Sequence, residues 1–324
     1  MPPALVLDVL ERLEATATVF ALTHVRAVGL RPAGDLILCD VAREDASVLL
    51  DDLRDLGVDR DGSITVQEIE TVISAAAQRA EQRAHGFPAD AVIWEEVEKR
   101  TSESAELSVT FLAFIVLATL IAGAGILSDS LLPIIGAMIV SPDFGPLAGI
   151  CVALGERRLA LARRSLRALA VGFAVAIALM LAATELLQAV GEAPDHLNPA
   201  THPATIFISE PNVYSVVVAL LAGIVGVLSL TTAKSGALIG VLISVTTIPA
   251  AANVGVASAY ADWTETRGAL AQLGINVAAI VVAGTATLVL QRAFYERRRR
   301  RHVRGLALVA AERGERRDTK TRVP

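Results

Sequence analysis

Residues 120–148 read LIAGAGILSDSLLPIIGAMIVSPDFGPLA. This is one apolar run, a hinge at Ser128-Asp129-Ser130, and a second run interrupted by Ser141-Pro142-Asp143-Phe144-Gly145-Pro146. A helix crossing the hydrocarbon layer needs about 20 mostly apolar residues. Working outward from this stretch, six segments qualify: 107–127, 129–154, 166–190, 213–230, 236–259 and 268–290. The sequence therefore predicts an α-helical polytopic membrane protein of about six spans.

The composition agrees. The chain has 324 residues, 53% of them hydrophobic, and a mean hydropathy of +0.55. The apolar surplus is concentrated in a membrane domain, 107–290. A cytosolic α/β domain (1–75) and a helical connector (76–106) precede it, and a basic cytosolic tail (291–324) follows. The net charge of −5 averages an acid-rich front and an arginine-rich end. Cys39 and Cys151 suggest no disulfide framework. Met1-Pro2-Pro3-Ala4 does not open a cleavable signal, so the first span is expected to direct insertion.

Lys and Arg in the short loops set the orientation. Arg157, Arg158, Arg163, Arg164 and Arg167 follow span two, Lys234 follows span four, and Arg292 and Arg297 to Arg301 follow span six. The loop 191–212 carries Glu192, Asp195 and Glu210 without a Lys or Arg. This alternation places both termini in the cytoplasm, with the chain multi-pass in the plasma membrane. Tyr260, Trp263, Phe294 and Tyr295 fall at span ends, where aromatic rings favour the headgroups.

The chain also repeats itself. Ala122-Gly123 and Gly125 to Ser128 match Ala222-Gly223 and Gly226 to Ser229. The second run, with Ile134, Gly136 and Ile139, matches Leu238, Gly240 and Ile243. Both copies then meet proline, at Pro142 and Pro146 and at Pro249. Spans three and six show no match. A repeat of three spans places its copies in opposite sense, a 3+3 plan common in transporters, with the site at broken helices near the midplane.

The breaks hold the candidate pathway: Ser141, Pro142, Asp143, Gly145 and Pro146 in span two, and Ser244, Thr246, Thr247, Pro249 and Asn253 in span five, with Asn276 and Thr285 nearby. Proline removes a backbone donor, and the freed groups need protein or a wet cavity as partners. An acid such as Asp143, roughly 20 Å from the outer end, is costly unless paired, protonated or hydrated. The span-five hydroxyls and amide suit oxygen ligation of a cation, or hydrogen bonding to Asp143, and a protonatable Asp143 would couple or select. The plainer alternative is a neutral acid filling a kinked helix, with hydroxyls bonding their own backbone. Asp129 and Lys234 mark hairpin tips as possible gates.

In the first domain, residues 4–15 and 44–56 read as helices, and 17–30 and 35–42 as strands turning at Gly34. Ile64, Val66 and Ile69 give 62–70 a further strand, and this order suits a ferredoxin-like fold. Gly57 to Glu68 resembles a calcium loop, but Gly57 offers no side-chain oxygen at the first position, and a turn at Asp61-Gly62 explains the same residues. His196 and His202, in a Pro-rich loop, are a weak metal signal, and no metal or cofactor is expected. The arginine-rich tail suits anionic lipid better than nucleic acid.

The stretch 120–148, with KSGALIGVLISVTTIPAAAN at 234–253, Trp94-Glu95-Glu96-Val97 and Glu106-Leu107-Ser108, resembles the domain-of-unknown-function 389 membrane family, most closely an actinobacterial branch. The resemblance implies the architecture and attaches no reaction or substrate to it. Many members have an apolar residue where Asp143 stands, so it implies that the acid is a feature of the branch.

The leading expectation is a transporter or channel for a small solute or ion, through spans 129–154 and 236–259. The rival is a membrane-anchored sensor whose first domain binds a ligand. No HExxH, paired intramembrane aspartates, Ser-His pair or phosphate loop is present, so no enzyme is expected. Small-residue surfaces suit a homo-oligomer.

Overall fold

The computed structural model describes residues 1–31, 33–67, 69, 71–84, 92–194, 212–232 and 247–321. Lys234, Ser244, Thr246, His196 and His202 lie outside the described residues. The chain forms two compact units: 1–95 with 231–233 and 292–324, and 96–230 with 234–291.

In the first unit, α1 (Pro3–Ala15) opens on a proline whose fixed φ suits a first helical turn, and it buries Val6, Val9 and Leu13. Strands β1 (Val19–Leu30) and β2 (Ala33–Val41) pair antiparallel, with Leu22 opposite Cys39 and His24 opposite Ile37. Helix α2 (Arg43–Asp55) follows. Leu22, Ile37 and Cys39 pack onto Val9, Leu13, Leu49 and Leu53. Val25, Leu36 and Leu38 are exposed.

Two expectations are corrected here. Gly34 does not make the turn; it lies in β2 opposite Gly29. No strand forms at 62–70 among the described residues, so the sheet has two strands and the ferredoxin-like order is not observed. The short helix α3 (Val58–Asp61) follows Gly57, whose φ of 79° only glycine adopts readily, and Val66 and Ile69 stay exposed. The loose alternation of 62–70 supplies strand-type residues without a partner edge. Helix α4 (Ala75–Arg83) is capped by the Ser74 hydroxyl, which accepts from the Ala76 N–H.

Helix α5 (Trp94–Ser104) leads into the second unit. Its further helices are α6 (Val109–Leu127), α7 (Leu131–Val140), α8 (Phe144–Glu156), α9 (Leu159–Ala189), α10 (Val213–Thr231), α11 (Thr247–Ala259) and α12 (Trp263–Thr321). Ser108 caps α6 by accepting from the Phe111 N–H at 3.0 Å. Four helices, α6, α9, α10 and the first part of α12, are long and apolar enough to cross a membrane; α7 and α8 would make a fifth span, bent by 50°. Of the expected span 236–259, only 247–259 is described.

Small residues let these helices approach closely, as membrane packing favours. A Cβ on Gly172 would meet Phe111 Cε1 at 2.9 Å. The core gathers Ile115, Ala118 and Ala122 of α6, Met180 of α9, and Ile248 and Ala252 of α11.

Two helices outrun their apolar windows. α9 begins at Leu159 rather than 166, taking in Arg163, Arg164 and Arg167. α12 runs unbroken for 59 residues, so the basic tail is helical to Thr321. Its distal part belongs to the first unit, where the Tyr295 hydroxyl donates to Asp51 at 2.9 Å and Arg299 pairs with Asp51 and Asp55, each at 3.2 Å.

Candidate functional site

The break between α7 and α8 is built by its sequence. Pro142 disfavours helical geometry in the residue before it, and Ser141 is extended, with φ −67° and ψ 135°. Asp143 occupies the N-cap of α8, but its side chain makes no capping bond. Its carboxylate serves the interior instead. The Ser141 hydroxyl donates to Asp143 Oδ1 at 2.6 Å, and the Thr247 hydroxyl donates to Oδ2. The Asp143 N–H reaches back to Ser141 Oγ at 3.4 Å. All three residues are buried, with Asp143 2% exposed.

Pro146 falls in the first turn of α8, where its missing N–H leaves no intrahelical bond unmade. Gly145 lets the end of α5 come close: a Cβ there would meet Ser104 Cβ at 2.6 Å. A cavity of about 390 Å³ opens beside the break, and Glu103, Glu106, Thr110, Ser141, Pro142 and Phe144 are among its lining residues. Glu106 is ion-paired with Arg164, and Glu103 lies 3.9 Å from Lys99.

The candidate residues divide into two groups. Ser141, Asp143 and Thr247 meet, while Asn253 and Asn276 take other partners. Asn253 donates to Glu265 Oε1 at 3.1 Å, and its own Oδ1 is buried without a hydrogen-bond partner. Asn276 accepts from Gln272 Nε2 at 3.0 Å. Pro249 is buried within α11. Asp129 sits at the turn between α6 and α7 with a left-handed φ of 48°. Glu265 and Gln272 escaped the sequence reading. Their signal was there, since positions 265, 272 and 276 fall on one helical face. Among the described residues, no group of three or more His, Cys, Asp or Glu side chains is placed to hold a metal.

The residues of the break and the partners of Asp143 fall inside a recognised domain. Residues 138–282 match the family model described as Domain of unknown function (DUF389). The resemblance read from the sequence is thus shown over that segment, from the end of α7 into α12. The chain is also 28% identical, over 196 residues, to an uncharacterised protein of Methanocaldococcus jannaschii, the match covering 59% of this chain and 58% of that protein. The chain thus matches less than two thirds of that relative's length. No solved structure matches.

Proposed function

We propose that the second unit sits in the plasma membrane, with both termini on the cytoplasmic side by the placement of Lys and Arg, and carries a small solute or ion across at the break holding Asp143. The observation that carries this reading is the buried Asp143 carboxylate, held by Ser141 and Thr247 beside a cavity of about 390 Å³.

Placing an acid at membrane depth costs roughly 2.5–3.5 kcal/mol. Two hydroxyl donors, at about 1.5–3 kcal/mol each for bonds to a charged group, offset that cost. They do not explain why an acid is present at all, since an apolar side chain would incur no such cost. The presence of an acid at that cost points to a use for it.

A second observation supports a 3+3 inverted repeat around this point, in a 104-residue register that shifts the sequence match of α6 and α10 by three to four residues. Helices α6 and α10 begin 104 residues apart (109 and 213) and end 104 apart (127 and 231). Helices α9 and α12 also begin 104 apart (159 and 263). Arg157 and Ala261, with left-handed φ of 58° and 55°, repeat the interval. So do the closing bonds, Arg158 N–H to Ala153 O at 2.8 Å and Asp262 N–H to Ala257 O at 3.0 Å. Asp143 and Thr247 are separated by the same 104 residues. Under such a two-fold relation, equivalent positions touch only at the axis, so their bond supports a reading in which the break lies at the repeat interface, where transporters bind their cargo.

The test is flux through the full chain reconstituted in liposomes, comparing the wild type with Asp143→Asn under imposed pH and voltage gradients. Flux that collapses in the variant supports the reading. No movement of any ion or solute above empty liposomes removes it, and ligand binding by the first unit becomes the reading to pursue.

A further inference from the structure

We propose that the ion handled at the break is the proton, which Asp143 takes up from the cavity through the Ser141 hydroxyl. This rests on the transport reading above and deepens it by naming the cargo or coupling ion.

Among the described residues, the elements around Asp143 carry few other titratable groups. Helices α6, α7 and α11 contain no titratable residue over 109–127, 131–140 and 247–259. Helix α8 carries Cys151 and Glu156; α9 carries Arg163, Arg164, Arg167 and Glu185. The acids lining the cavity are Glu103 and Glu106, engaged with Lys99 and Arg164. Among the described residues, no basic side chain forms an ion pair with Asp143, whose two oxygens accept from Ser141 and Thr247. The charge on this buried acid is therefore open to balance by something that arrives.

A metal ion fits the described residues poorly. Hard cations take six or more oxygens with room around them, whereas among the described side chains Ser141 and Thr247 bring one hydroxyl each and already hold the carboxylate. A proton needs only one oxygen, and the hydrogen bonds form a path for it. Ser141 both lines the cavity and donates to Asp143 at 2.6 Å. A proton arriving in the cavity bonds to Ser141 Oγ as the existing Ser141 O–H bond breaks and its proton forms an O–H bond at Asp143 Oδ1. Ser141 is restored and Asp143 becomes neutral, with no oxidant or reductant involved. The protonated acid then donates where it had accepted, so the Ser141 or Thr247 hydroxyl turns to accept. Release along Thr247 requires the reverse exchange on the other side of the carboxyl.

The experiment uses the full chain in liposomes with a trapped pH dye, under a clamped voltage, beside parallel uptake of sodium, potassium and chloride. Infrared difference spectra of the same protein, recorded as pH is lowered, report a protonated carboxyl. The expected result is proton flux several-fold above empty liposomes, falling about tenfold in Ser141→Ala and restored in Ser141→Thr. The infrared carboxyl band is expected to disappear in Asp143→Asn and shift in Thr247→Val. Sodium, potassium or chloride flux without proton flux, with infrared spectra unchanged in Asp143→Asn, overturns the proton assignment and leaves transport standing. No flux of any of the four ions overturns the proton assignment, and the transport reading falls with it only if no solute moves above empty liposomes either.

Discussion

Thr247 donates its hydroxyl to Asp143 across 104 residues of chain, and both side chains are almost fully buried. Asp143 is the N-cap residue of α8, and Thr247 lies on the first described turn of α11, so one hydrogen bond ties the broken span to a distant helix. Helix N-termini stabilise nearby negative charge by about 0.3–1 kcal/mol, and Asp143 already sits at that of α8. The carboxylate is thus supported by its own helix and by two hydroxyls.

Removing one of those hydroxyls has a predictable cost. Thr247→Val leaves Asp143 Oδ2 buried without its donor, a loss of about 1–3 kcal/mol. Thr247→Ser keeps the donor and is expected to stay within about 1 kcal/mol of the wild type. Thermal unfolding of the purified full chain in detergent measures the difference. Equal stability of the two variants would show that the bond contributes nothing.

How much of this was legible in the sequence depends on how local each cause is. The break at 141–146 was readable because proline acts on its own neighbours. That a span-five hydroxyl could bond Asp143 was readable from their shared depth, but which one was not, because spacing along the chain does not say which side chains touch. Asn253 illustrates the limit: it was grouped with Thr247, yet six positions along a helix turn it away, and its partner is Glu265. The start of α9 and the extent of α12 were missed because hydropathy marks where a helix is apolar and not where it ends. The strand expected at 62–70 failed for a related reason, since alternating residues cannot supply the edge a strand must pair with.

Packing between α10 and α12 gives a second prediction. A Cβ on Gly223 would meet the Ile280 carbonyl oxygen at 2.6 Å and its Cα at 3.0 Å. Backbone cannot swing aside as a side chain can, so Gly223→Ala must push the helices apart, at roughly 1–3 kcal/mol. Gly136 has nothing within 4 Å of its Cβ position. Gly136→Ala is therefore expected to be neutral, or stabilising by up to about 1 kcal/mol through helix propensity. Detergent melting curves of both variants check the ranking, and a Gly136→Ala loss equal to that of Gly223→Ala would contradict it.

The first unit has an acid-sensitive point at Asp35. The Ala27 N–H, at 2.8 Å, and the His24 ring, at 2.7 Å, hold its carboxyl below the ordinary value of 3.8. A lowered carboxyl contributes stability that is fully present above 3.8 and is lost as pH falls through the depressed value. Protection of the β1 and β2 amides in the full chain, corrected for intrinsic exchange, is expected to fall as pH drops below about 4. Asp35→Asn should lower that protection at neutral pH and flatten its acid limb. An unchanged acid limb in the variant would assign the loss to another group.

The two prolines of the break should behave differently. Pro142 holds Ser141 extended and supplies no donor to continue α7, so Pro142→Ala permits the helix to run on. Each residue added to α7 turns the chain by about 100°, which would carry Asp143 away from Thr247. The bend of 50° between α7 and α8 should then decrease. Spin labels at Leu132 and Leu154, both exposed, report this once Cys39 and Cys151 are replaced by serine. Straightening lengthens the separation by about 3 Å, from a rise of about 1.5 Å per residue in each arm. Pro146 lies in the first turn of α8, where no intrahelical bond is missing, so Pro146→Ala should leave the distance unchanged. A lengthening in Pro146→Ala, or none in Pro142→Ala, would mean that the bend is imposed by packing against α9 and α11 and not by the sequence of the break.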